Sequence, residues 1–333
     1  SRAPSQNQQH RHHRHHRHHR HQQSCNITMA STATATEAAA TNGTKKDVLI
    51  GVLSLQGAFE EHQQSLEAVG CKTKQVRTVT DLEGIDGIVL PGGESTAMGL
   101  IGTSAATPDG KNVWDALKEF TATKPTWGTC AGMILLSDKC VGASAVIENG
   151  QTLIGGVDIL VCRNYFGSQV SSFEMPTPPP PSIGDPEETY PGVFIRAPAI
   201  LSAGKGVEVL GKVFATPCRQ AAVVLEDLER KIRNGENVIM MGVVDALERK
   251  SSQEITYRVV VKSHEDSKEE KKEDEKEQNC ISLPGAADGT NSREVISAVR
   301  KQNILCTAFH PELTQDHRWH QYFANMVQEF VSN

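Results

Sequence analysis

Short runs of branched apolar residues, each stopped by a glycine-bearing turn and followed by a helical pattern, constrain this chain most. Val48-Leu49-Ile50-Gly51-Val52-Leu53 ends at Gln56-Gly57 and leads into a helical segment, Phe59–Val69. Lys72–Val76 is strand-like, and Gly87-Ile88-Val89-Leu90 is closed by Pro91-Gly92-Gly93. A helix around Val113–Thr121 precedes Pro125-Thr126-Trp127-Gly128. Strands apolar on both faces, alternating with helices, predict an α/β fold with a mostly parallel central sheet flanked by helices. In such sheets functional groups gather beyond the carboxyl ends of strands. The turns at 92–93 and 128–132 are therefore the places to look.

The second half is less regular. Val157–Val161, Val193–Arg196, Val207–Phe214 and Ile304–Phe309 read as strands, Leu225–Arg233 as a helix, and the proline-rich Met175–Pro186 as loop. Only 38% of the 333 residues are apolar, which is low for a globular chain and predicts that part of it does not fold. Two stretches account for the deficit. Residues 1–46 are a low-complexity leader, in which His10–His21 reads HRHHRHHRHHRH and buries nothing. Residues 250–293 are polar, and Lys262–Gln278 carries five basic and eight acidic residues, which predicts a flexible, exposed insertion. The remainder, within 47–333, suffices for a single α/β domain.

A net charge of −6 argues against nucleic-acid binding. The longest apolar runs, such as Val238–Val244, are too short for a membrane span, which excludes a membrane partner. Eight cysteines without CxxC pairs read as reduced thiols. With no signal-peptide pattern at the start, the expected location is the cytoplasm; the leader keeps organellar targeting open.

Three short motifs carry chemistry. Gly128-Thr129-Cys130-Ala131-Gly132 stands where a strand turns into a helix, expected at Met133–Asp138. Such an elbow exposes its nucleophile at the top of the sheet. A helix N-terminus behind Cys130 favours the thiolate, and the Ala131 N–H can donate to an oxyanion. His310-Pro311-Glu312 follows an apolar strand. Pro311 pushes His310 towards an extended backbone, and a carboxylate two residues on can steady its imidazole. Pro91-Gly92-Gly93-Glu94-Ser95-Thr96 lets a backbone N–H near Gly93 complete an oxyanion hole. Singly, each motif also fits a bland alternative: an inert buried thiol, a strand-end histidine, or a helix start capped by Ser95 or Thr96. Together they describe an acyl-transfer site.

The sequence resembles the class I, triad-type glutamine amidotransferases, and within them the glutaminase subunits of pyridoxal 5′-phosphate synthase. The resemblance rests on Gly51–Ala58 with Glu61-His62, Leu90–Thr96, Gly128–Gly132, Arg163–Val170, Ser172–Glu174, Phe194–Pro198, Phe309–Thr314 and Asp316–Arg318. It implies a flavodoxin-like sheet and hydrolysis of L-glutamine to L-glutamate and ammonia. Ammonia would pass to a synthase subunit in a hetero-oligomeric complex. The resemblance implies Cys130, His310 and Glu312 as the triad, with backbone N–H groups near Gly93 and Ala131 as the oxyanion hole. Gly93, Glu94, Ser95, Arg163, Ile195 and Arg196 match its glutamine contacts, and the segment around Gln56 matches a loop facing the synthase. It implies no metal and no organic cofactor. The leader, the length of the proline-rich loop and the long 222–293 segment depart from the family pattern. A glutaminase of another pathway, a cysteine hydrolase acting on peptides or aldehydes, and a non-catalytic synthase-binding module are the alternatives.

Overall fold

β1 (Leu49–Leu53), α1 (Phe59–Ala68), β2 (Lys72–Val76), β3 (Gly87–Leu90), α2 (Ser95–Ser104), α3 (Val113–Thr123) and β4 (Thr126–Thr129) open the fold in the alternation the apolar runs predict. There follow α4 (Ala131–Leu136), β5 (Ser137–Val141), β6 (Val157–Cys162), β7 (Phe173–Thr177), β8 (Tyr190–Phe194), β9 (Ala199–Ala203) and β10 (Glu208–Ala215). The chain closes with α5 (Arg219–Arg233), β11 (Arg258–Lys262), β12 (Cys280–Pro284), β13 (Arg293–Lys301), β14 (Ile304–Thr307) and α6 (Arg318–Ser332). This computed structural model describes residues 47–104, 110–142, 152–167, 172–234, 258–262, 280–287 and 289–333. The leader, the Val238–Val244 run and the charged 263–279 stretch lie outside the described residues.

A 10-stranded sheet runs β2-β1-β3-β4-β14-β13-β9-β6-β5, with β10 on the flank of β13. Five of its pairings are parallel: β1 with β2, β1 with β3, β3 with β4, β4 with β14, and β5 with β6. β13 runs antiparallel to β14, β9 and β10. Helices supply the covering faces. In α3, Val113, Trp114, Leu117 and Phe120 fall on one buried stripe, and the Asn112 side chain caps the helix by accepting from Asp115 N at 2.9 Å. In α6, Trp319, His320, Phe323, Met326 and Val327 do the same. The parallel register aligns Leu90 with Gly128 and Thr129 with Thr307. The ends of β3, β4 and β14 are thus level, and their following turns meet.

Several expectations shift. The helix after Cys130 is Ala131–Leu136, and Ser137 starts a strand where a helix to Asp138 is expected. All six helical residues are buried, so no amphipathic stripe marks the boundary. β7 takes Met175–Thr177 out of the expected loop, pairing Pro176 with Pro191 of β8 in a two-stranded ribbon; proline is tolerated there because an edge needs no ladder N–H. The strand expected at Val193–Arg196 ends at Phe194 and begins at Tyr190. α5 starts at Arg219, earlier than the expected Leu225. β9 and β13 come without a sequence expectation. Within the segment expected as one flexible insertion, β11 and β12 pair in parallel and Leu283 joins the core. β13 starts at Arg293, whose guanidinium meets Glu229 of α5 at 2.6 Å.

Candidate active site

Cys130 links β4 to α4 with φ 47° and ψ −100°, a left-handed conformation that costs a non-glycine residue about 1–3 kcal/mol. The surroundings impose it. Cys130 N donates to Thr307 O at 2.9 Å, and Gly132 N donates to Pro91 O at 3.2 Å. The two flanking glycines permit this crowding. A Cβ on Gly132 would lie 2.0 Å from Leu90 O, and one on Gly128 would lie 2.6 Å from the Gly132 carbonyl. Gly132→Ala should therefore lower the unfolding free energy by about 3 kcal/mol, read as a fall in denaturant midpoint at unchanged slope. A variant as stable as the parent contradicts the crowding.

His310 follows β14 and is fixed by its own N–H donating to Val193 O of β8 at 2.8 Å. The pair with Glu312 forms, but not along an extended chain: Pro311–Leu313 is a single 3-10 turn. Nδ1 of His310 lies 2.7 Å from Oε1 of Glu312. Burial opposes a charged imidazole. The Cys130 sulfur and the Glu312 carboxylate on either side outweigh it and raise the His310 pKa well above its ordinary value. Burial likewise opposes ionisation of Glu312, whose side chain is fully inaccessible, yet His62 and His310 hold its carboxyl below the usual range. The pair is thus an imidazolium beside a carboxylate, facing a sulfur.

The loop after β3 closes the same space. Gly92 is so near the imidazole that a Cβ there would lie 2.3 Å from His310 Cε1. Its carbonyl accepts from Ala58 N at 3.1 Å. The trans amide then turns the Gly93 N–H away from α1. Gln56 Oε1 accepts from Glu94 N at 2.6 Å, which places the β1–α1 loop against this turn. Glu94, not Ser95 or Thr96, caps α2, its carboxylate accepting from Thr96 N and Ala97 N at 3.1 and 2.7 Å. Burial opposes that charge, and the two amides with Arg163 outweigh it to keep the carboxyl below its usual range. Buried Arg163 donates through Nη2 to Ser95 Oγ and Thr96 Oγ1 at 3.2 and 3.3 Å. Its Nε and Nη1 have no hydrogen-bond partner among the described residues.

These side chains share one cavity of about 500 Å³. Gly93, Glu94, Ser95, Cys130, Arg163, Ile195, Arg196 and His310 all line it, so the ends of β3, β4, β6 and β14 and the bend after β8 bring the expected residues together. Ala131 follows the nucleophile in the elbow, and Glu312 sits behind His310, outside the lining. Ile134, Asn164, Gly167 and Gln220 also line the wall. Asn164, at φ 53°, sits inside the Arg163–Val170 motif but carries no catalytic chemistry to single it out. Gln220 opens α5 far from any motif, and no sequence signal points to it. No helix among the described residues is long and apolar enough to cross a membrane.

Comparison with known proteins agrees with this fold. A probable pyridoxal 5′-phosphate synthase subunit PDX2 of Arabidopsis thaliana is 37% identical across 84% of this chain and 86% of its own length. A pyridoxal 5′-phosphate synthase subunit PdxT of Geobacillus kaustophilus is 34% identical across 84% of this chain and 95% of its own. A crystal structure of a glutamine amidotransferase matches with a TM-score of 0.52 and 27% identity, covering 84% of this chain and 98% of that one. The family model described as the SNO glutamine amidotransferase family matches residues 52–227, from the first strand through the elbow and the Arg163 wall into α5. On the family model, which matches over half of the chain, and on these relatives, the chain belongs to the SNO glutamine amidotransferase family.

Proposed function

We propose that this chain is the glutaminase subunit of a pyridoxal 5′-phosphate synthase. It would hydrolyse L-glutamine to L-glutamate and hand the ammonia to a synthase subunit. The observation that carries the reading is the strained, buried Cys130 sharing a cavity with His310, itself bonded to Glu312 at 2.7 Å. Cys130 Sγ attacks the carboxamide carbon of glutamine. Backbone N–H groups of Gly93 and Ala131 take the oxyanion. The C–N bond breaks as the His310 imidazolium gives its proton to the leaving nitrogen, which departs as ammonia and leaves a γ-glutamyl thioester. Neutral His310 then removes a proton from water, hydroxide adds to the thioester, and glutamate leaves as the sulfur regains its charge. Arg163, whose Nε and Nη1 lack an acceptor among the described residues, supplies the cationic wall for an amino-acid substrate. Glu94, Ser95, Ile195 and Arg196 shape the rest of the pocket.

The curated relatives support the synthase assignment over another pathway, since both carry that subunit name. The intact triad geometry supports an enzyme over a mere binding module. We further propose one glutaminase domain, 47–333, following the low-complexity leader, and a cytoplasmic location in keeping with the free thiols of Cys71, Cys130, Cys140, Cys162, Cys218 and Cys306. Glutamate release measured with and without a purified synthase subunit tests the reading. Release should rise when the synthase is added, and nitrogen from amide-labelled glutamine should enter pyridoxal 5′-phosphate. No release in either state overturns the assignment.

A further inference from the structure

The polar chain behind Cys130 does not stop at Glu312. Oε1 of that carboxylate is taken by His310, but Oε2 has no hydrogen bond among the described residues. Its polar neighbour is the imidazole of His62, with Nε2 at 3.3 Å. Both side chains are fully inaccessible, so bulk water does not reach this contact. His62 comes from α1, on the far side of the strand carrying the elbow. Its Nε2 also lies 3.1 Å from Thr129 Oγ1, the residue just before Cys130. Its Nδ1 lies 3.0 Å from Nε2 of His320 on α6. The edge of Trp127 packs against the ring at 5.5 Å between centroids, which holds its plane.

Proton bookkeeping favours one arrangement. Two oxygens face His62 Nε2, Thr129 Oγ1 at 3.1 Å as its hydrogen-bond partner and the Glu312 carboxylate at 3.3 Å, and a lone pair aimed at that carboxylate would be repelled, so Nε2 carries the hydrogen. Nδ1 is then a bare lone pair, and His320 Nε2–H donates to it. That leaves His320 Nδ1 without a hydrogen, and this atom has no partner among the described residues, as a lone pair tolerates better than an N–H. The charged and titratable groups facing His62 are Glu312 and His310 from the site, His320 from α6 with His317 behind it, and Glu61 on its own helix. Burial first, and then the neighbouring His310 charge, lower the pKa of His62 against the pull of Glu312. A neutral ring suits the task. It can orient the carboxylate without cancelling the charge that steadies the imidazolium.

We propose that His62 is a positioning residue of this site: its Nε2–H, bonded to Thr129 Oγ1, sets its positive end against the outer oxygen of Glu312 at 3.3 Å, so that the inner oxygen stays aimed at His310. The proposal rests on the reading of Cys130, His310 and Glu312 as a glutaminase triad.

The test uses the full chain with its synthase subunit and follows glutamate release against pH. His62→Leu should lower kcat by about 10- to 100-fold, the usual range for loss of such a supporting partner, with KM little changed. The basic limb, where the proton shared by His310 and Glu312 is lost, should move to higher pH, because an N–H dipole aimed at the carboxylate has gone. His62→Gln, whose amide N–H can still donate, should recover most of kcat and the parental limb. Leu66→Val, a buried position on the same helix, should lower the melting temperature and leave the limb in place. A His62→Leu variant that loses only melting temperature, with parental kcat and limb, overturns the proposal. Should His62→Leu not fold, nitrogen-detected histidine NMR on the parent decides: a neutral Nε2–H ring supports the proposal, and an Nδ1–H or doubly protonated ring overturns it. A parent complex that releases no more glutamate than its Cys130→Ala variant sinks the triad reading itself, a result distinct from parental behaviour of the His62 variants alone.

Discussion

Cys130→Ala should lower glutamate release by roughly 10⁴-fold or more, while the fold and synthase binding persist. The size follows from the chemistry. Without the sulfur no thioester forms, and what remains of the site can only orient water, as in other enzymes stripped of a covalent nucleophile. The stability expectation follows from the geometry. Cys130 is buried and its neighbours set its backbone through Thr307 O and Pro91 O, contacts made by main-chain atoms that alanine retains. Removing one sulfur from a site open to the cavity leaves a small deficit at most. The measurements are glutamate release in the presence of synthase, thermal melting, and co-purification with the synthase. Retained release in this variant would remove the mechanism; loss of folding would show that the sulfur is structural.

Glu312→Gln should come second, with release lowered by roughly 10³-fold or more. A glutamine can turn its amide N–H towards His310, which favours the tautomer with Nδ1 bare and the wrong nitrogen protonated. It also removes the negative charge that raises the His310 pKa. The basic limb of the pH profile should therefore move to lower pH, opposite to the shift expected for His62→Leu. Stability changes with pH in a matching way. The Glu312 pKa is lowered in the folded chain, so its stabilisation is in force above the unfolded carboxylate value and fades as pH falls through the folded one. The His310 pKa is raised, so its stabilisation is complete below about 6.5 and fades as pH climbs through the higher folded value. Melting temperatures of parent and variant should differ most at mildly acidic to neutral pH, where both charges stand. An equal gap at every pH argues against the ion pair.

The parallel half of the sheet was legible because β1 and β3 are apolar on both faces and β1, β3 and β4 each end in a glycine-bearing turn; buried strands allow little else at those positions. The same turns disclosed Gly93, Cys130 and His310, since backbone crowding and an elbow nucleophile restrict residue choice at fixed spacing. β13 was missed because its short Val295–Val299 run is bracketed by charged pairs, Arg293-Glu294 and Arg300-Lys301, after a polar segment, and nothing local tells an antiparallel insertion from loop. β7 was missed because prolines usually exclude strands, and only its pairing with β8 makes it one. Glu312 was found, but the turn that brings it to His310 was not. An His-Pro-Glu sequence fits both an extended and a 3-10 path, and the packing of Tyr190 against Pro311 O and Thr314 Oγ1 favours the second. His62 was visible only as a member of a motif, because a histidine's partners lie 250 residues away.

One strand serves both sides of the cleft. β8 receives the main-chain N–H of His310 through Val193 O, while its Tyr190 hydroxyl grips the turn beyond, and its last residue leads straight into Ile195 and Arg196. The proposed proton donor and the wall proposed to seat the amino acid are therefore referenced to a common ruler. Any displacement of β8 would carry both with it, which would preserve the gap between acid and scissile amide.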